Sequence, residues 1–295
     1  MKKLSVFFAT VLFAAMGFAS CSKDNGGSTN DDNDNGDGNS GGDNVPRVTQ
    51  IVCESNSIHD GDGYSYTTKL SYDSQGRVIN VSSDSGYITD TYTYSYGNGK
   101  ITVKEISKYD DDLNGSQSYE TQNIATLDAG GRVSQIIHQY DDESYTTDIR
   151  YDSGGYMQEA SSVYGGGNYI WSGVNITSTK AYGFGYSAGY TSVITYTDKT
   201  YTGNLFLEYL TYVIESAGEI CVDTQPFGLL GFCGQRCANL PLKVVRTYSD
   251  PNYYGVETIT YSYTFNNDGT VKTITENYDD GGNDNRTDVI TFSYE

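Results

Sequence analysis

Cysteines, histidines, carboxylates and one oxygen-rich loop are the groups in this sequence that could do chemistry, and their spacing limits what that chemistry can be. Besides Cys21 there are four cysteines, Cys53, Cys221, Cys233 and Cys237. An even number suits two disulfides in an oxidising compartment, with three connectivities open. Cys233 and Cys237 enclose only Gly234, Gln235 and Arg236, so a local bridge is geometrically feasible and would leave Cys53 and Cys221 as a long-range staple. The two histidines, His59 and His138, stand at no metal-ligand spacing from any cysteine pair, which argues against zinc. Neither has an HExxH partner or a nucleophile elbow nearby, so a Ser-His-Asp arrangement is not expected. Both are expected at strand or loop surfaces.

Carboxylates leave one enzymatic route. Glu105, Glu120, Glu143, Glu159, Glu208, Glu215 and Glu257 include pairs that could meet across a barrel mouth at glycoside-hydrolase separation. Exposed solvation is the default role for all of them, and the chain is not expected to be an enzyme. The oxygen-rich loop is Asp110, Asp112, Asn114 and Gly115, at the first, third, fifth and sixth places of an EF-hand-like pattern, which would suit calcium. Against it, Glu120 falls at the eleventh place rather than the twelfth, and Asp-x-Asn-Gly is also ordinary hairpin-turn chemistry. No other cofactor is indicated.

The elements that must position these groups are strands. Tyr92, Tyr94 and Tyr96 alternate with Thr91, Thr93 and Ser95, and Tyr261, Tyr263 and Phe265 alternate with Thr260, Ser262 and Thr264. Each segment has an aromatic face and a hydroxyl face, the pattern of a half-buried antiparallel strand. Gly-containing breakers separate the strands, and one hairpin unit recurs: LSYDSQGRV at 70–78, ATLDAGGRV at 125–133, IRYDSGGYM at 149–157 and YTFNNDGTV at 263–271. The reading is all-β, a single domain over 45–295 folded as a large curved antiparallel meander, barrel or half-barrel. An apolar insert at 203–242 breaks the alternation with LFLEYLTYVI at 205–214 and PFGLLGF at 226–232. It is expected to pack as a core plug or short helices across one barrel opening. The lone Trp171 is expected in the core rather than on a ligand platform.

The N-terminus reads as an export signal. Lys2 and Lys3 precede an apolar run at 4–19, shorter than the roughly 20 residues of a membrane span. The small residues before Cys21 resemble a lipobox, which implies a signal peptide over 1–20 and lipidation of Cys21, hence membrane attachment through that anchor. Residues 21–44 are almost entirely Gly, Asn, Asp and Ser and cannot bury enough apolar surface to order, so they form an acidic flexible tether. Its Ser-Lys-Asp opening resembles the export signals of surface lipoproteins in Bacteroidetes-type bacteria. That implies a lipid-anchored protein of the outer membrane, exposed at the cell surface.

The hairpin unit also looks like the YD repeats of bacterial wrapping toxins, a likeness attributable to shared hairpin physics. A closer resemblance spans the lipobox, acidic stalk, Tyr-rich meander and the insert ending GFCGQRCANLP at 231–241. In these the chain is similar to a family of uncharacterised Bacteroidetes lipoproteins described as having a porin-like fold. The resemblance implies a large antiparallel sheet and no catalytic residues. Membrane insertion is disfavoured by the residues themselves, because a spanning barrel needs an outward apolar band and the strands carry Ser and Thr on one face.

Charge bounds the partners. Without Lys2 and Lys3 the chain has 16 basic and 38 acidic residues, a net −22. That balance repels phosphate backbones, so nucleic acid is not a partner, whereas cations and neutral glycans suit it. The leading expectation is a surface binding module for a glycan or other small nutrient, resting on the address and on 29 Tyr whose rings can pack on sugar faces. The alternatives are a structural or adhesion lipoprotein without a small ligand, and a carboxylate-based glycoside hydrolase.

Overall fold

The computed structural model describes residues 46–57, 64–111, 115–140, 143–183, 189–200, 209–211, 213, 220–249, 255–281 and 285–295. Cys21 with the signal and tether, His59, Asp112, Asn114, Glu208 and Glu215 lie outside them, as do the side chains of Asp110 and Cys221.

The strands are β1 (Val48–Ser57), β2 (Ser65–Tyr72), β3 (Val78–Asp84), β4 (Ile88–Gly97), β5 (Lys100–Asp111) and β6 (Gly115–Leu127). They continue as β7 (Val133–Tyr140), β8 (Glu143–Tyr151), β9 (Met157–Ser162), β10 (Gly165–Ser172) and β11 (Asn175–Gly183). The last are β12 (Tyr190–Thr200), β13 (Asn239–Tyr248), β14 (Val256–Phe265), β15 (Val271–Asp279) and β16 (Asn285–Tyr294). Each pairs antiparallel with its sequence neighbours, and β1 also pairs with β16, so the sheet closes as a 16-strand barrel. Closure leaves no edge to pair with another chain.

Period-two alternation decides which face turns inward. In β4, Asp90, Tyr92 and Tyr94 are buried while Thr93 and Ser95 are exposed, and β14 repeats this with Glu257, Ile259 and Tyr261. The inner wall forms one core with Val48, Ile51, Val81, Val103, Ile136 and Ile274, each fully buried. Burying such a side chain contributes about 1.5–3 kcal/mol. The outer wall is mostly Thr, Ser, Lys and Gln and offers no apolar band for lipid.

Because strands alternate in direction, the barrel has two distinct ends. The base holds the recurring turns, the entry of β1 and the exit of β16; the mouth holds the connections that follow odd-numbered strands. At the base, Asp73 Oδ1 accepts hydrogen bonds from the backbone N–H groups of Gln75 and Arg77, both at 2.9 Å. Gly76 takes a φ of +80°, which a side chain would strain. Asp128 and Asp152 do the same in the turns after β6 and β8.

A second device repeats around the base. Bulges put Val78 opposite Tyr72 but Asn80 opposite Ser71, and Val133 opposite Leu127 but Gln135 opposite Thr126. The carbonyl just before each bulge accepts a hydrogen bond from an aromatic side chain on the following strand. Tyr96 donates to Val78 at 2.6 Å, Tyr151 to Val133 at 2.7 Å, Tyr196 to Ile176 at 2.7 Å and Tyr294 to Val271 at 2.6 Å. Tyr72, Tyr263 and the Trp171 indole act likewise on Val48, Pro241 and Met157. A bulge interrupts the ladder, and the aromatic donor satisfies the backbone acceptor there. The hairpin from β4 to β5 keeps an unbroken register, and the corresponding position on β6 is Leu127, which has no donor.

The insert covers the base. Helix α1 (Ile220–Gly228) leads into buried Leu229, Leu230 and Phe232. Val133, Gln235 and Ala238 tie the segment to the base turns through backbone hydrogen bonds. A Cβ on Gly228 would stand 2.1 Å from the Tyr209 ring, so only glycine lets helix and ring approach. The expected plug is therefore present, with one described helix.

Candidate functional site

The local bridge expected between Cys233 and Cys237 is not formed. Cys53, Cys233 and Cys237 are all buried. Cys233 and Cys237 turn to different neighbours: Cys233 Sγ lies 4.0 Å from the Thr224 carbonyl, while Cys237 Sγ accepts from the Ile176 N–H at 3.5 Å and lies 3.4 Å from the Tyr196 hydroxyl. Between them Gly234 adopts a φ of +91°, which sends the two side chains apart. Cys53 is on the inner wall, where burial pushes its thiol up to about 12. The Cys221 side chain, its proposed partner, is outside the described residues.

The proposed calcium ligands Asp110, Asp112 and Asn114 also fall there, but the flanking backbone is described. Asp111 pairs with Gly115 and Ile106 with Glu120. These residues belong to the antiparallel strands β5 and β6. No group of three or more metal-ligating side chains occurs among the described residues.

His138 is not at the surface. It is 1% exposed on the inner wall, its Nδ1 2.8 Å from Asn123 Oδ1 and its Nε2 3.2 Å from Thr147 Oγ1. Burial lowers its pKa to about 4. Trp171 packs against the core as expected.

Among the described residues, the carboxylates singled out in the sequence do not pair with each other. Glu120 meets Lys104 at 2.8 Å on the outer wall, Glu159 meets Arg150 and Tyr182, Glu143 is exposed, and Glu257 is buried against Arg246. Glu105 has a carboxylate neighbour in Asp90, which sequence reasoning passed over.

That neighbourhood belongs to a layer of buried polar side chains just inside the mouth. On β4, β5 and β6 two adjacent rungs run Asp90–Ser107–Tyr119 and Tyr92–Glu105–Thr121. Ser107 donates to Asp90 Oδ1 at 2.6 Å, while Glu105 accepts from Tyr92 at 2.6 Å and from Thr121 at 3.0 Å. Burial raises the pKa of Asp90 and of Glu105, and Asp90 raises Glu105 further. Towards the rim, Tyr109 and Tyr119 stand edge to face at 5.7 Å, and Tyr140, Tyr145 and Tyr164 continue the aromatic wall, Tyr145 stacking on His138 at 4.5 Å. Tyr119 is 56% exposed, Tyr164 50% and Tyr140 41%. An open depression of about 370 Å³ is lined by Glu120, Thr121, Gln122 and Gln139, and Glu120 in it faces the outer wall.

The opposite side of the mouth is internally paired. Arg246 Nη1 meets Glu257 Oε2 at 2.9 Å beneath Tyr190, with the guanidinium 4.7 Å from the ring centre, and Tyr248 donates to Glu257 at 2.7 Å. Arg286 meets Asp288 at 3.0 Å and lies 5.5 Å from the Tyr278 ring. Alternating aromatic and hydroxyl positions signalled these inner rows in the sequence. Nothing local signalled which rows would converge.

No family model and no curated protein matches this sequence. Among solved structures, the chain is similar to a porin-like protein from Bacteroides uniformis at 16% identity and a TM-score of 0.59, covering 84% of this chain and 98% of that one. A porin-like protein from Bacteroides vulgatus aligns at 14% identity over 84% of this chain and 98% of its own, with a TM-score of 0.45. The first likeness establishes a porin-like fold.

Proposed function

We propose that this protein is an outer-membrane lipoprotein, anchored through Cys21 and exposed at the cell surface, that binds glycans at the mouth of its barrel. The observation that carries the reading is the exposed aromatic wall of Tyr119, Tyr140 and Tyr164 above half-buried polar groups. Solvent-facing Tyr rings supply stacking area for sugar faces, and hydroxyls, amides and carboxylates supply directional hydrogen bonds. The covered base and polar outer wall support a cup rather than a lipid-spanning pore.

The test is binding of the mature protein to an oligosaccharide array, followed by titration calorimetry. Binding should survive high salt, and Tyr119→Ala or Tyr140→Ala should weaken it about tenfold or more, in line with the loss of a stacking contact. Silence across a broad array, with cell–cell adhesion retained in the same strain, would favour a structural role instead. Cys21→Ser should release the protein from membranes. Reconstituted into planar bilayers, the barrel should carry no steady conductance.

A further inference from the structure

One arrangement recurs at four described places in this barrel: a tyrosine ring, a carboxylate, and an arginine bound to the carboxylate while lying over the ring. Arg77 meets Asp73 at 2.9 Å and lies 4.6 Å from the Tyr96 ring centre, and Arg132 meets Asp128 at 2.7 Å and lies 4.7 Å from Tyr151. Arg246 with Glu257 and Tyr190, and Arg286 with Asp288 and Tyr278, repeat it at the mouth. The fold itself shows which chemistry fits between its rings and its carboxylates: a nitrogen cation.

The β4–β6 sector has the rings and the carboxylates without the cation. Tyr109 and Tyr119 cap the rungs that carry Asp90 and Glu105. Every Lys and Arg beyond residue 23 lies among the described residues, and none of them pairs with Asp90 or Glu105. The lysines of β5 point outward, Lys104 to Glu120 and Lys108 to solvent. A buried carboxylate beside a half-buried one, with no counter-charge, is costly to a fold unless something else uses them. Burial accordingly raises the pKa of both. Glu105 already accepts two hydroxyls, yet a carboxylate has about four acceptor sites, so room for a further donor remains.

We propose that this sector is a subsite for an amino sugar: the pyranose face lies on Tyr119, and the free ammonium group meets Glu105 with Asp90 behind it. The proposal rests on the reading of the mouth as a glycan site and names the class of sugar. The ammonium takes the position that arginine holds in the four internal copies.

Titration calorimetry on the mature protein with chitotetraose bearing free amines, against its fully N-acetylated form, tests it. The free amine should bind about tenfold more tightly, the scale of one partly desolvated cation–aromatic contact. In Glu105→Gln the preference should vanish, the two sugars binding within about twofold of each other. Asp90→Asn should act in the same direction. Both variants remove an uncompensated buried charge, so their melting temperatures should not fall below the parent's, which separates lost recognition from lost folding. Equal binding of the two sugars by the parent, or a preference that persists in Glu105→Gln, overturns the amino-sugar assignment and leaves the glycan site standing. Binding of neither sugar, with or without capture of an arginine-bearing peptide, overturns both.

Discussion

The base of the barrel and the β4–β6 sector of its mouth use the same residue types to opposite effect. At the base, Asp73 and Asp128 hold their turns together, arginines lie over tyrosines, and those tyrosines donate to the carbonyls that bulges release. Burial alone would raise the pKa of Asp128, but hydrogen bonds from Arg132 and the backbone outweigh it and hold the carboxyl below its ordinary value. At the mouth, Asp90 and Glu105 have hydroxyl partners and no cation, and burial wins. The difference teaches where stability ends and recognition begins.

Breaking the plug should give the largest effect. Phe227 is fully buried, and Phe227→Ala should cost about 3–5 kcal/mol by leaving a cavity, read as a fall in the denaturation midpoint. If the base alone carries that cost, ligand affinity at the mouth should be unchanged in the folded variant. A midpoint within experimental scatter of the parent's would mean that the insert does not close the base.

Acid should next separate the two ends. His138 has a folded pKa of about 4 against an ordinary 6.5, so the folded state binds fewer protons than the unfolded one between those values. Its contribution is present above pH 6.5 and is lost as pH falls towards 4, by at most about 3 kcal/mol. Asp90 and Glu105 oppose this trend, since their raised pKa values favour the folded state as they protonate. His138→Gln should therefore flatten the acid loss measured by denaturant unfolding at pH 7, 5.5 and 4.5. An unaltered slope would contradict the buried neutral imidazole.

A matched pair of substitutions sharpens the contrast further. Asp128→Asn should destabilise by about 1–2 kcal/mol, because it weakens charge-assisted hydrogen bonds to Arg132. Asp90→Asn should leave stability unchanged or raise it. Similar losses at both positions would erase the proposed division between ends. The smallest effect belongs to a single clamp: Tyr96→Phe removes one donor from the Val78 carbonyl and should cost about 1 kcal/mol. Tyr119→Phe at the exposed rim should leave the melting temperature where it is.

Much of the architecture was legible in the sequence because its causes are local. Alternation over two residues decides which side chains share a wall, and the Asp and Gly of each turn make their hydrogen bonds within four residues, so strands, hairpins and the apolar insert could all be read without a structure. The polar outer wall follows from the same alternation. What tertiary structure alone decided depends on register between strands. It joined β1 to β16, which settled barrel over half-barrel. It also set Arg77 over Tyr96, turned Cys233 and Cys237 apart, and buried His138 between Asn123 and Thr147. Asp90 and Glu105 are neighbours across a single hairpin, and closure turned both to the inner wall. A one-residue slip in the pairing of β4 with β5 would have put one of them on the outer wall, and the Asn98-Gly99 turn, with φ of +53° and +67°, holds that register, whereas the closure of β1 on β16 has no such turn to set it and depends on the packing of the whole inner face.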